Sequence, residues 1–418
     1  MYDNEVKPQT ALLVAVDTGE YDVDRSLDEL AELAKTAGAE VVARATQKRT
    51  NFDNATCLGK GRLAQLAEFI SNGEIDLMIF DHELSPAQLR NIEAVVNCGV
   101  LDRTMLILDI FASRATSNEG RLQVELAQLK YRLPRLIGMG NILSRLGGGI
   151  GTRGPGESKL ESDKRHIYRR IDMLNEELNQ LKGRRDRLRE RRKKDDYITV
   201  AIVGYTNVGK STLLNALTDS GVLVEDKLFA TLDPTARALA LPDGQTVMLV
   251  DTVGLVNRLP HHLVEAFKST LEEAANADLI LNMCDVSNPD FDEQLRVTHE
   301  LLKALKAEDV PTLTVLNKAD KLAELPLVFD NRTAIISAKT GIGLDEMLNK
   351  IAKNLPKTHH KLSLLIPYNQ SVLVNEIRAT GKILDEAFSE NGTKLTALVD
   401  RKILYKVQDY IEENLPQD

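Results

Sequence analysis

The chain has 418 residues, 43% of them hydrophobic and 28% charged, which is material for two or three packed domains and excludes an intrinsically disordered chain. A net charge of -9 excludes a protein that coats nucleic acid with its whole surface, while leaving room for a local basic patch. No basic patch precedes an apolar run at the start and no segment is apolar enough to span a bilayer. The cysteines Cys57, Cys98 and Cys284 are too dispersed for a metal knuckle or a disulfide framework, so a cytoplasmic location and buried thiols are expected.

In residues 1–118, short apolar runs at 11–16, 40–45 and 75–81 alternate with helical patterns such as SLDELAELAKTAG, which predicts parallel strands joined by crossover helices, an N-terminal α/β subdomain. The GKGR stretch at 59–62 opens one of these helices and is read as a plain loop-to-helix turn, because no further phosphate-site signature follows it. Residues 119–196 predict a helical-hairpin subdomain. Leu122, Leu126, Leu129 and Leu133 repeat at steps of four, three and four, and Ile167, Ile171, Leu174, Leu178 and Leu181 answer with the same steps, Leu188 rejoining after Arg185. Between the seams lie glycines at 147, 148, 149, 151, 154 and 156 with Arg145 and Arg153, a connection far longer than a helix pair needs. A Gly-rich, Arg-bearing tip at 147–157 reads as a probe into a crowded, negatively charged site. On the same helix, residues 182–194 hold nine basic and two acidic residues, a second place for phosphate contact.

Residues 197–357 carry the chemistry and are read as a P-loop G domain. An apolar strand runs into GYTNVGKST, which matches G-x-x-x-x-G-K-[ST] at Gly204, Gly209, Lys210 and Ser211, with Tyr205, Thr206, Asn207 and Val208 between. Glycines let successive backbone N–H groups point at phosphates, and the following helix adds its positive end. Lys210 is expected on the β- and γ-phosphates and Ser211 on Mg²⁺. A second strand ends in Asp251-Thr252-Val253-Gly254, where a carboxylate can hold Mg²⁺ through water and the Gly254 N–H can meet a γ-phosphate. A third ends in Asn317-Lys318-Ala319-Asp320, and Asp320 can accept from guanine N1–H and the 2-amino group together, a fork that adenine cannot satisfy. A fourth leads to Ser337-Ala338-Lys339, whose backbone reaches towards the guanine O6. Between the first two motifs, Phe229, Ala230, Thr231, Leu232 and Asp233 form a segment in which Thr231, with Thr235 in reserve, would close the Mg²⁺ shell only when a γ-phosphate is present. Lys210, Thr231 and Gly254 are the candidate catalytic residues, and Ser211 and Thr231 the candidate metal ligands. Leu255 stands where many GTPases have a glutamine that orients water, so slow hydrolysis by the free protein is expected.

Residues 358–418 alternate strand, helix, strand, an Asn391-Gly392 turn, strand and a final helical pattern, which predicts a small C-terminal α+β domain of ferredoxin-like kind.

The stretches GGGIGTRGPGESKLESDKR ahead of GYTNVGKST, LFATLDPT, DTVGLVNRLP, FDHELSPAQLRN and LDRTMLILDIFASRA together resemble the HflX family of translation-factor-related GTPases, over residues 10–340. The resemblance implies a GTP-hydrolysing, Mg²⁺-dependent protein that binds the large (50S) ribosomal subunit and its rRNA and splits stalled or idle 70S ribosomes under stress. It places the tip at 147–157 towards the peptidyl transferase centre, with Arg145 and Arg153 on RNA. Related GTPases with an asparagine at the place of Asn207 can hold K⁺. No DNA partner, no stable membrane insertion and a monomer are expected. A large-subunit assembly or storage factor that uses GTP hydrolysis to time its release is the alternative. A partner of a tRNA-modifying enzyme would need a cysteine-bearing C-terminus, and none of Cys57, Cys98 and Cys284 lies there.

Overall fold

The computed structural model describes residues 8–137, 155–194, 198–218, 228–229, 235–256, 258, 263, 268–322, 324, 330–356 and 359–412. Among the described residues no helix is long and apolar enough to cross a membrane.

The N-terminal sheet is fully parallel, in the order β2-β1-β3-β4, from β1 (Thr10–Asp17), β2 (Glu40–Lys48), β3 (Leu77–Phe80) and β4 (Gly99–Asp102). A run such as ALLVAV, buried throughout, is what a central strand covered on both faces requires. Helix α1 (Val23–Thr36) starts where the Asp22 side chain accepts from the Arg25 N–H, and it buries Leu27, Leu30, Leu33 and Ala34 at helical spacing. Helix α2 (Lys60–Gly73) follows Gly59, as the loop-to-helix reading of GKGR requires, and α3 (Pro86–Val96) opens on a Ser85/Gln88 capping box with proline in the first turn. The four-residue β4, absent from the sequence reading because its apolar signal is too short, leads straight into α4 (Arg103–Arg114).

Helix α5 (Asn118–Ile137) packs against α6 (Pro155–Lys194). Ile171 and Leu174 of the second seam are buried, and a bidentate Arg170–Glu125 pair at 2.7 Å ties the two helices together. The first seam is half a description of α5. Its buried residues also include Val124, Ala127 and Tyr131, a second stripe that packs on the N-terminal layer; the Tyr131 hydroxyl donates to Asp102 at 2.5 Å and Arg135 pairs with the same carboxylate at 2.9 Å. The base of the stalk is thereby bolted to the end of β4. Residues 147–154 of the proposed tip, and Arg145 before it, lie outside the described residues, and one boundary is corrected: Gly156 and Glu157 belong to the first turn of α6 rather than to a loop. Glycine following proline at a helix start costs little, because those N–H groups have no partner within the helix.

The third layer is a six-stranded sheet in the order β10-β9-β8-β5-β7-β6, built of β5 (Ile198–Gly204), β6 (Thr235–Ala240), β7 (Thr246–Asp251), β8 (Leu279–Asp285), β9 (Thr312–Asn317) and β10 (Thr333–Ile335); only β6 is antiparallel to its neighbour. Helices α7 (Lys210–Thr218), α8 (Lys268–Ala275), α9 (Phe291–Ala304) and α10 (Leu344–Asn354) cover it. Beyond it, β11 (His359–Ile366), α11 (Ser371–Thr380), β12 (Lys382–Ser389) and β13 (Gly392–Asp400) make an antiparallel sheet in the order β11-β13-β12. The ferredoxin-like expectation is corrected, since three strands pair among the described residues. The final helical pattern shrinks to α12 (Leu404–Val407) between single 3-10 turns, with Ile411 bridging back to Leu364.

Candidate nucleotide site

The four motifs collect at the carboxyl edge of the parallel strands β5, β7, β9 and β10, the place where an open α/β sheet binds ligands. At the end of β5 a Cβ on Gly204 would meet the Met283 carbonyl oxygen at 2.3 Å, and on Gly209, at φ +95°, it would meet Asn317 Nδ2 at 2.4 Å. Only glycine fits either place. Asn207 also stands in the left-handed region, at φ +59°, and is exposed.

Lys210 folds back over the loop, with Nζ donating to the carbonyls of Gly204 at 3.1 Å and Tyr205 at 2.7 Å. Burial pulls its pKa down to about 8, against the pull of the Asp251 carboxylate. The Ser211 hydroxyl donates to the buried Asp251 carboxylate at 3.0 Å, so two hard oxygen donors converge at the start of α7. Such a donor set fits Mg²⁺. Thr252 is fully buried and donates to the Ile202 carbonyl at 2.7 Å, which locks the Asp251-Thr252-Val253-Gly254 turn to the central strand. Gly254 packs tightly over Lys210 and Thr206: a Cβ there would lie 3.1 Å from Lys210 Nζ and 2.7 Å from Thr206 Cγ2. Next to it, Leu255 is hydrogen-bonded to the phosphate loop, its carbonyl accepting from Thr206 N–H at 2.7 Å and its N–H donating to Gly204 at 3.1 Å.

At the base end, Asn317 braces three motifs at once. Its Nδ2 donates to the Val208 carbonyl at 2.7 Å and its Oδ1 accepts from Ala338 N–H at 2.9 Å. Lys318 stands at φ +66° and pairs with Asp285 at the end of β8 at 2.7 Å, a partner the motif pattern did not indicate. Asp320 is exposed, and the buried Ser337 hydroxyl donates to it at 2.6 Å. That hydrogen bond, ahead of the cations Lys339 and Lys321, holds its carboxyl below the usual carboxylate range, so the acceptor pair needed for guanine is present at neutral pH. Lys339 is exposed and Ala319 buried.

Ala230, Thr231, Leu232 and Asp233 lie outside the described residues. Phe229, grouped with them as a nucleotide contact, turns its ring away: it is 2% exposed and meets Phe111 of α4 edge-on at 4.6 Å. Leu228 N–H donates to Thr36 of α1 at 3.3 Å. The segment after the second motif leans the same way. Val253, Leu255, Val256 and Leu263 share one core with Leu30, Leu33 and Phe111, and Arg258 reaches the buried Asp81 at 2.9 Å. Sequence reading missed Asp81, Tyr21 and Arg258 because nothing in a linear pattern pairs residues so far apart.

Beside Asp81, His82 accepts the Val16 N–H at 3.0 Å, and burial pulls its pKa from 6.5 down to about 4, against Asp81 and with help from Arg258 and Arg103. The fold therefore prefers the neutral ring, whereas the unfolded chain takes up a proton near pH 6.5. Stability from this preference is complete above that pH and drains away as the pH falls towards 4, by about 2–3 kcal/mol. Urea unfolding of the wild type and His82→Gln at pH 7.5 and 4.5 checks this. The wild type should lose that much more than the variant, and equal losses would sink the assignment.

What folds on this sheet is a P-loop nucleotide hydrolase, with an acceptor pair on Asp320 that would suit guanine. Family models described as GTP-binding GTPase N-terminal, GTP-binding GTPase middle region and 50S ribosome-binding GTPase match residues 24–112, 114–192 and 199–318. A GTPase HflX of Caldanaerobacter subterraneus subsp. tengcongensis is 51% identical over 403 residues, which cover 96% of this chain and 94% of that protein. The GTPase HflX of Escherichia coli K12 is 38% identical over 402 residues, 94% of each chain. Among solved structures, a GTP-binding protein from the hyperthermophilic archaeon Sulfolobus solfataricus in complex with GDP is 25% identical, with a TM-score of 0.46 over 83% of this chain and 98% of that one. The chain belongs to the HflX family of GTPases, and it is a GTP hydrolase.

Proposed function

We propose that this GTPase binds the large (50S) ribosomal subunit in the cytoplasm, as a monomer, and uses its nucleotide cycle to split stalled or idle 70S ribosomes under stress. One observation carries the reading. The 40-residue α6 leads out of the Gly-rich, Arg-bearing segment, carries the basic run at its far end, and is tied to the G domain there. Arg185 lies 3.1 Å from Glu119 and 3.8 Å from Glu272, and Lys182 lies 3.9 Å from Glu272, on the helix α8 that follows the Asp251-Thr252-Val253-Gly254 segment. A force on the tip would thus reach α8, the next described helix after the Asp251-Thr252-Val253-Gly254 segment, through these ion pairs.

Within the site, the backbone of 204–209 would cradle the phosphates, Lys210 would compensate their charge, and Ser211, with Asp251 behind it, would hold Mg²⁺. When bound, Mg²⁺ neutralises charge on the β- and γ-phosphate oxygens. Thr231 would complete its shell in the GTP state, Gly254 N–H would meet the γ-phosphate, Asp320 would select guanine, and Asn207 would help hold K⁺. Since Leu255 offers no proton acceptor, turnover is slow until the ribosome orders the switch segments.

Turnover with and without 50S subunits, in potassium and in sodium, tests the reading. Wild type should accelerate at least about tenfold on the subunit, which corresponds to about 1.4 kcal/mol of barrier. Gly149→Val with Gly151→Val, and separately Arg153→Glu, should keep the ribosome-free rate and melting temperature but lose the acceleration, because branched bulk or a carboxylate is set against RNA phosphates. Stimulation retained in a stably folded variant would refute the probe. Light scattering of 70S ribosomes separates splitting, in which GTP lowers the signal, from an assembly or storage role, in which binding leaves it unchanged.

A further inference from the structure

The N-terminal layer holds the segment that follows Gly254. Arg258 stands in the left-handed region at φ +52° and sends its guanidinium over the Tyr21 ring, 4.0 Å from the centroid, onto Asp81 Oδ2 at 2.9 Å. The Asp81 side chain is 0% exposed; Ser26 and Tyr21 donate to the same Oδ2 as Arg258, and Oδ1 accepts from Arg103 at 2.8 Å. This is a built receptor for a guanidinium, and the arginine that fills it lies four residues after Gly254. While it is filled, Leu255 stays hydrogen-bonded to Gly204 and Thr206, and Gly254 closes over Lys210. Arg258 also shares a cleft of about 690 Å³ with the phosphate-loop residues Tyr205 and Thr206, so the segment has space to move into.

We propose that Asp81, acting through Arg258, is a positioning residue that sets the discrimination between GTP and GDP. A γ-phosphate needs the ground over Lys210 that Gly254 covers, and GDP does not. Binding GTP must part Leu255 from the phosphate loop and draw the segment against the Asp81–Arg258 pair, while GDP leaves both in place. The pair therefore weakens GTP selectively. Tyr21 adds a cation–π contact that lysine in place of Arg258 cannot reproduce with the same planar fork.

Titration of the full chain with fluorescent GDP and with a non-hydrolysable GTP analogue tests this. Arg258→Ala should tighten the analogue about tenfold, the size of one charge-assisted hydrogen bond, and change GDP by less than about twofold. Arg258→Lys should fall between. Asp81→Asn should shift the ratio in the same direction, and the double variant no further than the single ones, because both act through one contact. Melting each variant identifies any that unfold. Arg258 is 34% exposed and leaves Asp81 still paired with Arg103, so Arg258→Ala keeps the test decisive even if Asp81→Asn does not fold. An unchanged ratio, equal shifts for both nucleotides, or weaker analogue binding in folded Arg258→Ala would overturn the proposal.

Discussion

Asp320→Asn should move base preference from GTP to XTP by a factor of about 10³ or more, the scale at which a site built to hydrogen-bond a substrate rejects an analogue that mismatches it. The carboxylate is poised for this task. Ser337 donates to Oδ1 at 2.6 Å, and the hydrogen bond holds the carboxyl below the usual carboxylate range, so both oxygens would be available to accept from guanine's N1–H and 2-amino donors. Asparagine can still accept from Ser337 through Oδ1, but its other position becomes a donor. That donor repels the 2-amino group of guanine and suits the 2-oxo group of xanthine. Competition between labelled GTP and unlabelled XTP reads the change directly, and a variant that still prefers GTP would show that Asp320 does not read the base.

Lys210→Ala should lower nucleotide affinity by about a hundredfold or more. A charged donor to a phosphate contributes about 1.5–3 kcal/mol, and this lysine is assigned two phosphates. It is 7% exposed, so little water can replace it. The loss is not purely one of charge, since the carbonyls of Gly204 and Tyr205 also lose their shared donor. For that reason the nucleotide-free variant should melt a few degrees lower, while the further stabilisation that GDP or GTP gives the wild type should vanish. Calorimetric titration and melting curves with and without nucleotide separate the two effects. A variant that GDP stabilises as strongly as the wild type would remove Lys210 from the phosphate site.

Much of the site is legible in the sequence because each part of it is local. GYTNVGKST contains its own turn, glycines and helix start, and Asp320 lies three residues from the strand end that positions it; the structure sets these motifs at the ends of β5 and β9. The same holds for α1, whose cap and buried stripe lie within fifteen residues, Asp22 included. The leucine seams were legible as a helix pair but incomplete, because α5 also buries Val124, Ala127 and Tyr131 against a second neighbour that periodicity does not announce. Strand β4, four residues long, was lost because so short an apolar run carries no period. The ferredoxin-like reading failed because three strands pair among the described residues, and the described part of KILYKVQDYIEENL holds only the four-residue α12 between 3-10 turns, with Ile411 bridging to Leu364.

The residues alone indicated which groups are the candidates to meet a phosphate and a base, since the backbone geometry of a loop, a cap or a strand end is set by neighbours in the chain. Tertiary packing decided what those groups are held against. Phe229 belongs to a segment that reads as a nucleotide contact, yet its ring is 2% exposed because Phe111, more than a hundred residues earlier, offers an apolar surface that water cannot match. Arg258, to which the sequence assigns no role, becomes the partner of Asp81, 177 residues away. A buried carboxylate must find its donors wherever the fold brings them, and that choice is made in space, not along the chain.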